Sequence, residues 1–349
     1  MVTFRWTILL AAVLFTAGFL VNACKKSGAP AAPPTTPLTF TVPDGWPQPL
    51  YNFEGNPITK EGFELGKKLF YDGILSKDGN FPCASCHQQF AAFATFDHPL
   101  SHGFDNQFTL RNAPGLFNMV WLPAMHWDGG INHIEVQPLA PITAPNEMAE
   151  DIANVVKKLQ QHPEYPNHFK AAFGDATVTS ERMLKALTQF VGMMVSANSK
   201  YDKVKRGELS FTADEQKGYE IFQAKCASCH TEPLFTDNSY RNTGLPLDPV
   251  LKDYGRMRIT GNSADSLKFK VPSLRNLYLT FPYGHDGRFY AVRDVLDHYS
   301  HGVQDGPTVD PLVKNKIPLS DADKFYLQYF LRTLTDSTFI ADKRFGPPQ

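Results

Sequence analysis

The sequence carries two copies of a pentapeptide whose residue types suit covalent cofactor chemistry, Cys83-Ala84-Ser85-Cys86-His87 and Cys226-Ala227-Ser228-Cys229-His230. Cys-x-x-Cys-His is the attachment signature of c-type haem. The two thiols bond to the haem vinyl groups, and the histidine that follows can ligate the iron. A zinc ribbon or a thioredoxin-like redox pair is the alternative for either copy alone. Two copies with identical inner residues favour two covalently bound c-type haems.

The N-terminal residues have the pattern of an export signal followed by a lipid-attachment site. Arg5 precedes an apolar run over 8–21, which is short for a membrane span of roughly 20 residues. Val21-Asn22-Ala23-Cys24 is similar to a bacterial lipobox, which implies removal of residues 1–23 and lipidation of Cys24. An uncleaved anchor or an ordinary signal peptide are the alternatives. In every case we expect the folded part to lie outside the inner membrane, in the periplasm.

Length and composition limit the remaining choices. The 349 residues are enough for two domains that each bury a haem. The formal net charge of −1 gives no reason to expect a nucleic-acid partner. Residues 24–47 are rich in Pro, Ala and Thr, which predicts an extended tether between the lipid and the folded chain.

Similar segments flank the two haem motifs. Gly-x-x-(Leu/Ile)-Phe occurs at 66–70 and 218–222, and Pro-x-Leu-x-Asn followed by Asp-Gly occurs at 114–129 and 272–287. Repetition in the same order indicates two haem modules related by duplication. We therefore predict an N-terminal haem domain over 48–205 and a C-terminal haem domain over 206–349. The polar stretch 198–207, which we expect to be a loop, contains the boundary.

Apolar residues recur at helical spacing, and strand-like alternation is scarce. Thr59 and Thr212 are placed to cap the helices that lead into the two motifs, and Ser320 to cap a last helix that runs through Leu334. The sequence predicts a mostly α fold, with two cytochrome c-like domains and long loops around the haems.

From about Gly62 to Leu334 the chain resembles the bacterial diheme cytochrome c peroxidase family, which includes the MauG-type enzymes. Besides the two haem motifs, the resemblance rests on Arg111-Asn112-Ala113-Pro114, Trp127-Asp128-Gly129, Pro145-Asn146-Glu147-Met148 and His285-Asp286-Gly287-Arg288-Phe289. It implies that the N-terminal haem reacts with hydrogen peroxide. It also implies that the C-terminal haem accepts electrons from a small donor protein such as cytochrome c.

Two residues match catalytic positions of this family. Cleavage of peroxide at iron needs a base that moves a proton between the two oxygens, and Glu147 matches the family's distal glutamate. The alternatives are a surface residue or a charge at the N-terminus of a helix that begins at Met148. Trp127 matches the tryptophan that the family places between its haems as an electron relay. The alternative is a core tryptophan whose N–H bonds to the backbone, and both roles can hold together.

The resemblance also implies a calcium ion at the domain interface. Asn112 matches its side-chain ligand, and Thr280 and Pro282 match its backbone carbonyl ligands. Oxygen ligands of this kind suit a hard cation. The alternative is an asparagine that stabilises a turn before Pro114.

The sixth ligands of the two irons are less uniform in the family. His102 lies nearest the place where some members carry a histidine on the resting N-terminal iron, although the local pattern departs from the usual one. A solvated loop histidine is the alternative. For the C-terminal haem, Tyr299 stands at the ligand position, as in the MauG-type enzymes. The alternatives are His298, His301 and Met257.

These residues predict a peroxidase that reduces hydrogen peroxide to water with electrons from a reduced cytochrome c or similar carrier. A MauG-like oxidase of a protein or small molecule is the nearest alternative, and a non-catalytic diheme electron-transfer cytochrome is the other. Glu147 and Trp127 favour an enzyme, because a simple electron carrier needs neither a distal base nor an open iron. The sequence does not define the oligomeric state, for which a homodimer is one candidate.

Overall fold

The computed structural model describes residues 34–348, and within them the fold is rich in helix with few strands, as the sequence predicts. The two strands, β1 (Tyr240–Arg241) and β2 (Phe269–Lys270), pair antiparallel. The α-helices in this range are α1 (Lys60–Tyr71), α2 (Cys83–Cys86), α3 (Leu139–Thr143), α4 (Ile152–Gln161), α5 (Tyr165–Phe173), α6 (Ser180–Gly192), α7 (Lys200–Lys205), α8 (Ala213–Lys225), α9 (Met257–Thr260), α10 (Val292–Asp297), α11 (Pro311–Lys314), α12 (Asp321–Arg332) and α13 (Ser337–Ile340).

Helix α1 leads into the first haem motif and packs along α6. It begins where the sequence predicts, because the side chain of Thr59 accepts a hydrogen bond from the backbone of Gly62 at 3.0 Å. Gly66 lies at the contact between the helices, where an added Cβ would be 1.9 Å from the carbonyl oxygen of Ala186. A side chain at this position would push the two helices apart.

Helices α8 and α12 pack in the same manner around the second motif. The predicted capping box is present: the Glu215 backbone donates to Thr212 Oγ1 at 3.3 Å, and the Glu215 carboxylate accepts from the Thr212 backbone at 2.8 Å. A Cβ on Gly218 would lie 2.1 Å from the carbonyl oxygen of Tyr326. The glycine of the repeated Gly-x-x-(Leu/Ile)-Phe pattern therefore allows close helix contact in both pairs.

Within the described residues, two large hydrophobic clusters form the core. Phe70 and Phe190 are fully buried in the first cluster, and Phe222 and Phe330 are fully buried in the second. The C-terminal residues return to the first cluster, where Phe339 and Phe345 are buried. Contacts therefore cross the expected boundary at 205, and the division into two domains stays a prediction.

The stretch 198–207, expected to be a loop, contains helix α7. Ser199 caps it: Oγ accepts from the Asp202 backbone at 3.3 Å, and the Ser199 backbone donates to the Asp202 carboxylate at 2.8 Å. Arg275, from the C-terminal half, forms a buried ion pair with Asp202 at 2.7 Å. The local composition is polar, but this distant partner neutralises the buried carboxylate and holds the helix in place.

The segment 35–47 contacts the body of the protein, although its composition predicts a tether. The backbone of Leu38 donates to the carbonyl of Ile58 at 2.9 Å, and Trp46 packs edge-on against Trp121 with ring centroids 5.0 Å apart. An extended chain can bury alternate aromatic side chains, which composition alone does not reveal. The signal segment 1–23 and the lipidation candidate Cys24 lie outside the described residues.

The last long helix ends earlier than the sequence predicts. The Ser320 capping box is present, but α12 stops at Arg332 and does not reach Leu334. Between residues 34 and 348, none of the helices combines the length and the apolar character that crossing a bilayer requires.

Candidate active site

The first haem motif forms a short helix, α2, and His87 follows it directly. His87 Nδ1 lies 2.7 Å from the carbonyl oxygen of Phe93. Because a carbonyl only accepts, the proton is on Nδ1, and Nε2 keeps a free lone pair. Burial lowers the pKa of His87, which favours the neutral ring. A neutral imidazole fixed through Nδ1 is the usual arrangement of a metal-ligating histidine.

The second haem motif repeats this geometry. His230 Nδ1 donates to the carbonyl of Phe235 at 3.1 Å, and burial lowers the pKa of His230. Phe93 and Phe235 both have a left-handed backbone, with φ of 59° and 56°. These unusual turns bring each carbonyl back to its histidine, so in both motifs Nε2 would be free to ligate a haem iron.

A cavity lies next to the first motif. Cofactor pockets usually have mostly apolar walls. Cys83, Cys86 and His87 line this cavity. The remaining walls include the apolar side chains of Phe70, Leu116, Met119, Ile142, Met148 and Leu187. Two thiols and a neutral histidine in an apolar cavity fit a covalently attached haem.

Glu147 lines the same cavity as His87. Its backbone is held on both sides, since its N–H donates to the carbonyl of Ala144 at 3.0 Å and its carbonyl accepts from Phe104 at 2.6 Å. Burial raises the pKa of the Glu147 carboxyl. The alternative role at a helix start is wrong, because α4 begins at Ile152 and is capped by Asp151.

His102 also lies on the cavity wall. Its Nδ1 donates to Oδ1 of Asn106 at 2.8 Å, and its ring lies against Phe108 with centroids 4.4 Å apart. Nδ1 is occupied by this hydrogen bond, and the other ring nitrogen, Nε2, takes no part in it. The structure thus brings His102 to the same cavity as Glu147, and its bond to iron stays a prediction.

Trp127 lies where segments from both halves of the sequence meet. Its indole Nε1 donates to the carbonyl of Asn112 at 2.9 Å, so the expected N–H bond to the backbone is present. The carbonyl of Trp127 accepts from the backbone of Lys270 at 2.7 Å. A matching bond runs from the backbone of Asn112 to the carbonyl of His285 at 2.8 Å. Each repeat segment therefore donates to the other, which fixes the two segments relative to each other.

A charge network holds the turn after Trp127. Arg111 donates to Asp128 at 2.6 Å and to Asp253 at 2.6 Å, and these three side chains are nearly or fully buried. Arg256 donates to the carbonyl of Asp128 at 2.8 Å. Sequence reasoning misses Asp253, because its partner Arg111 is 142 residues away and no motif links them.

The calcium candidates lie near the same junction. Asn112 is buried, and its Nδ2 donates to the carbonyl of Pro99 at 3.1 Å, which leaves Oδ1 as the atom for a cation. Thr280 and Pro282 follow the short turn at 277–279. In the range 34–348, no cluster of three His, Cys, Asp or Glu residues is arranged for a metal. A calcium ion here would depend on amide and carbonyl oxygens, and it stays a prediction.

Tyr299 lies beside the second haem motif. It belongs to a π-helical turn, His298–Gly302, that follows α10, and such turns are frequent at functional sites. Burial raises the pKa of the phenol, and the nearby thiols of Cys226 and Cys229 raise it further by a smaller amount. The alternative ligand His298 is already engaged, because its Nε2 donates to the carbonyl of Thr243 at 2.9 Å.

Known proteins share this arrangement of segments. A family model described as di-haem cytochrome c peroxidase matches residues 60–210. A methylamine utilization protein MauG from Methylorubrum extorquens is 34% identical over 84% of this chain and 83% of its own length. This chain belongs to the di-haem cytochrome c peroxidase family. Two c-type haems are therefore implied by the family as well as by the two motifs.

Both branches of the di-haem peroxidase family occur among the relatives. A cytochrome c551 peroxidase from Nitrosomonas europaea is 39% identical over 66% of this chain and 70% of its own length. The crystal structure of a MauG-like protein associated with microbial copper homeostasis superimposes with a TM-score of 0.81 at 32% identity. That match covers 89% of this chain and 99% of the solved one.

Proposed function

We propose that this protein is a diheme c-type peroxidase that reduces hydrogen peroxide to water with electrons from a reduced cytochrome c or similar carrier. The observation that supports it most is the presence of Glu147 and His87 on one cavity, with burial raising the pKa of the carboxyl. When bound, the haem supplies the iron at which peroxide binds. The protein supplies the base.

Glu147 would move a proton within the bound peroxide. Its carboxylate takes the proton from one oxygen and gives it to the other, which then leaves as water once the O–O bond breaks. Two electrons and two further protons complete the conversion of one peroxide to two waters. A raised pKa suits this role, because the group must both accept and release the proton near neutral pH.

Trp127 would relay the electrons. The C-terminal haem, held by Cys226, Cys229 and His230, would accept them from the donor protein. The position of Trp127 at the junction of the two halves, bonded to Asn112, supports a route from there to the N-terminal haem. We further propose the calcium ion at Asn112, Thr280 and Pro282, where it would brace this junction.

A MauG-like oxidase of a protein or small molecule is the second candidate. Tyr299 favours it, because an anionic phenolate stabilises ferric iron and makes high-valent states more accessible. The 34% identity to the methylamine utilization protein also supports this branch. A non-catalytic electron carrier fits less well, because it has no use for a buried base at Glu147.

Three proposals concern the setting of the enzyme. The two modules arose by duplication, as the matched histidine turns and helix-contact glycines suggest. The mature chain is periplasmic and attached to a membrane through lipid on Cys24, with a homodimer as one assembly to test. Mass spectrometry of the membrane fraction would reveal the lipid, and its absence from Cys24 would contradict the anchor.

A steady-state assay with peroxide and reduced cytochrome c tests the main proposal. We expect the haem-loaded protein to oxidise two cytochromes per peroxide consumed. If peroxide oxidises the haems but no electron carrier restores them, while an added protein substrate is oxidised, the second candidate is correct. If peroxide does not react at all, both enzymatic proposals are wrong.

A further inference from the structure

Lys270 is hydrogen-bonded to the backbone of residues 124–127, the segment that ends at the proposed relay Trp127. Its N–H donates to the carbonyl of Trp127, and its side-chain Nζ donates to the carbonyl of Ala124, both at 2.7 Å. Both bonds go to the backbone of residues 124–127, so the ammonium group lies beside the segment that leads directly into Trp127. Strand β2 therefore brings a cation to the proposed electron relay.

This cation has no ion pair of its own within residues 34–348. Asp128, the carboxylate that interacts with it, is engaged elsewhere: Oδ2 accepts from Arg111 at 2.6 Å and Oδ1 from the backbone of Gly130 at 3.0 Å. Burial lowers the pKa of Lys270 to about 8, against the opposing attraction of Asp128. The ammonium can therefore lose its proton as the pH rises through about 8.

Two other titratable groups near Lys270, His126 and Tyr240, keep their charge near pH 8. Burial lowers the pKa of His126, whose Nε2 has no hydrogen-bond partner in the described part of the chain, so this ring is neutral there. Burial raises the pKa of Tyr240. The remaining groups from the facing elements are Arg111, Asp128, Asp253 and Arg256.

The hydrogen bond of the indole determines what oxidation would produce. Trp127 Nε1 donates to a backbone carbonyl, that of Asn112, at 2.9 Å. A backbone carbonyl is too weak a base to take the proton. An indole that loses an electron here therefore keeps its proton and carries a positive charge, which a nearby ammonium group repels.

We propose that the charge on Lys270 controls how easily Trp127 gives up an electron, and thereby the rate of electron transfer between the two haem sites. The proposal rests on the proposed relay role of Trp127. In this step the indole gives one electron to the N-terminal site and regains one from the C-terminal site, and no bond or proton changes. A unit charge on the order of 10 Å from an oxidised ring, at an effective dielectric constant of about 20, would alter the population of the oxidised state roughly ten-fold.

Single-turnover kinetics of the haem-loaded protein test the proposal. The C-terminal haem is reduced first, peroxide is added by stopped flow, and the reoxidation of that haem is followed by its Soret absorbance. We expect the rate in the wild type to rise about ten-fold as the pH passes through about 8. Lys270→Arg keeps its charge and should hold the low rate at every pH. Lys270→Gln is neutral and should hold the high rate.

Lys268→Gln is the matched control, because it removes a lysine of the same segment that is paired with Asp265 at 3.1 Å. It should keep the rise in rate near pH 8 that we expect of the wild type, called here the wild-type step. A wild-type profile that is flat, or a Lys270→Arg protein with the wild-type step, overturns the proposal. A purely structural role for Lys270 would slow both of its variants equally at all pH values, and this result would overturn it too.

Trp127→Phe separates this proposal from the relay on which it depends. If that variant transfers electrons as fast as the wild type, the relay role is wrong and the role of Lys270 falls with it. If Trp127→Phe is slow while Lys270→Arg keeps the wild-type step, the relay stands and only the role of Lys270 is wrong. Should Lys270→Gln fail to bind haem, the wild type and Lys270→Arg still decide the question.

Discussion

Replacement of Glu147 by Gln removes the proposed base and little else. The carboxylate lines the cavity of the first haem motif, and burial alone raises its pKa, with no hydrogen bond or neighbouring charge of comparable effect. The amide of Gln has nearly the same size, so the substitution should leave haem content and folding unchanged. Positioned acid–base groups contribute about 10²–10⁴-fold to a rate, which corresponds to roughly 3–5 kcal/mol of barrier.

The assay is the second-order rate of reaction with peroxide, measured by stopped flow across a range of pH. The wild-type rate should fall as the pH drops through the pKa of Glu147, because the protonated carboxyl cannot accept a proton. Since burial raises that pKa, the fall should begin at a higher pH than for an exposed glutamate. Glu147→Gln should be slow throughout and should lack this acid limb.

Glu150 supplies the matched control. It is buried three residues away, but it pairs with Lys158 and accepts from Asn154 at 3.0 Å, so its role is structural. Glu150→Gln should lower the stability by about 1–3 kcal/mol and leave the peroxide reaction unchanged. The reasoning is refuted if Glu147→Gln reacts at the wild-type rate, or if its acid limb persists.

Further substitutions and one treatment test other parts of the structure. Trp127→Phe should preserve the reaction with peroxide but slow electron transfer between the haems, and equal transfer rates would leave only a packing role. Chelation of calcium should lower activity and Asn112→Ala should mimic it, whereas a protein without calcium by elemental analysis would contradict the site. Tyr299→Phe should change the low-spin ferric spectrum of one haem and raise its potential; a methionine–iron charge-transfer band in the wild type would exclude the tyrosine. Gly218→Ala should lower the denaturation midpoint by the equivalent of about 1–3 kcal/mol, because its Cβ would meet the backbone of α12, while Gly55→Ala, which faces open space, should not.

The sequence alone was sufficient for the features that depend on near neighbours. Haem attachment requires two thiols and a histidine within five positions. The motifs at 83–87 and 226–230 therefore indicate it without any knowledge of the tertiary structure. The caps at Thr59, Thr212 and Ser320 are present as predicted, because each joins groups only three residues apart. The resemblance to known peroxidases likewise followed from short segments in a fixed order.

Tertiary structure decided everything that depends on burial or on distant partners. The polar stretch 198–207 becomes helix α7 with a buried carboxylate because Arg275 approaches it from the other half of the chain. The segment 35–47 contacts the core because its aromatic side chains, Phe40 and Trp46, pack against Trp121. Glu147 and Lys270 have shifted pKa values only because surrounding segments remove water from them. Desolvation is a property of the packed chain, and no local pattern of residues encodes it.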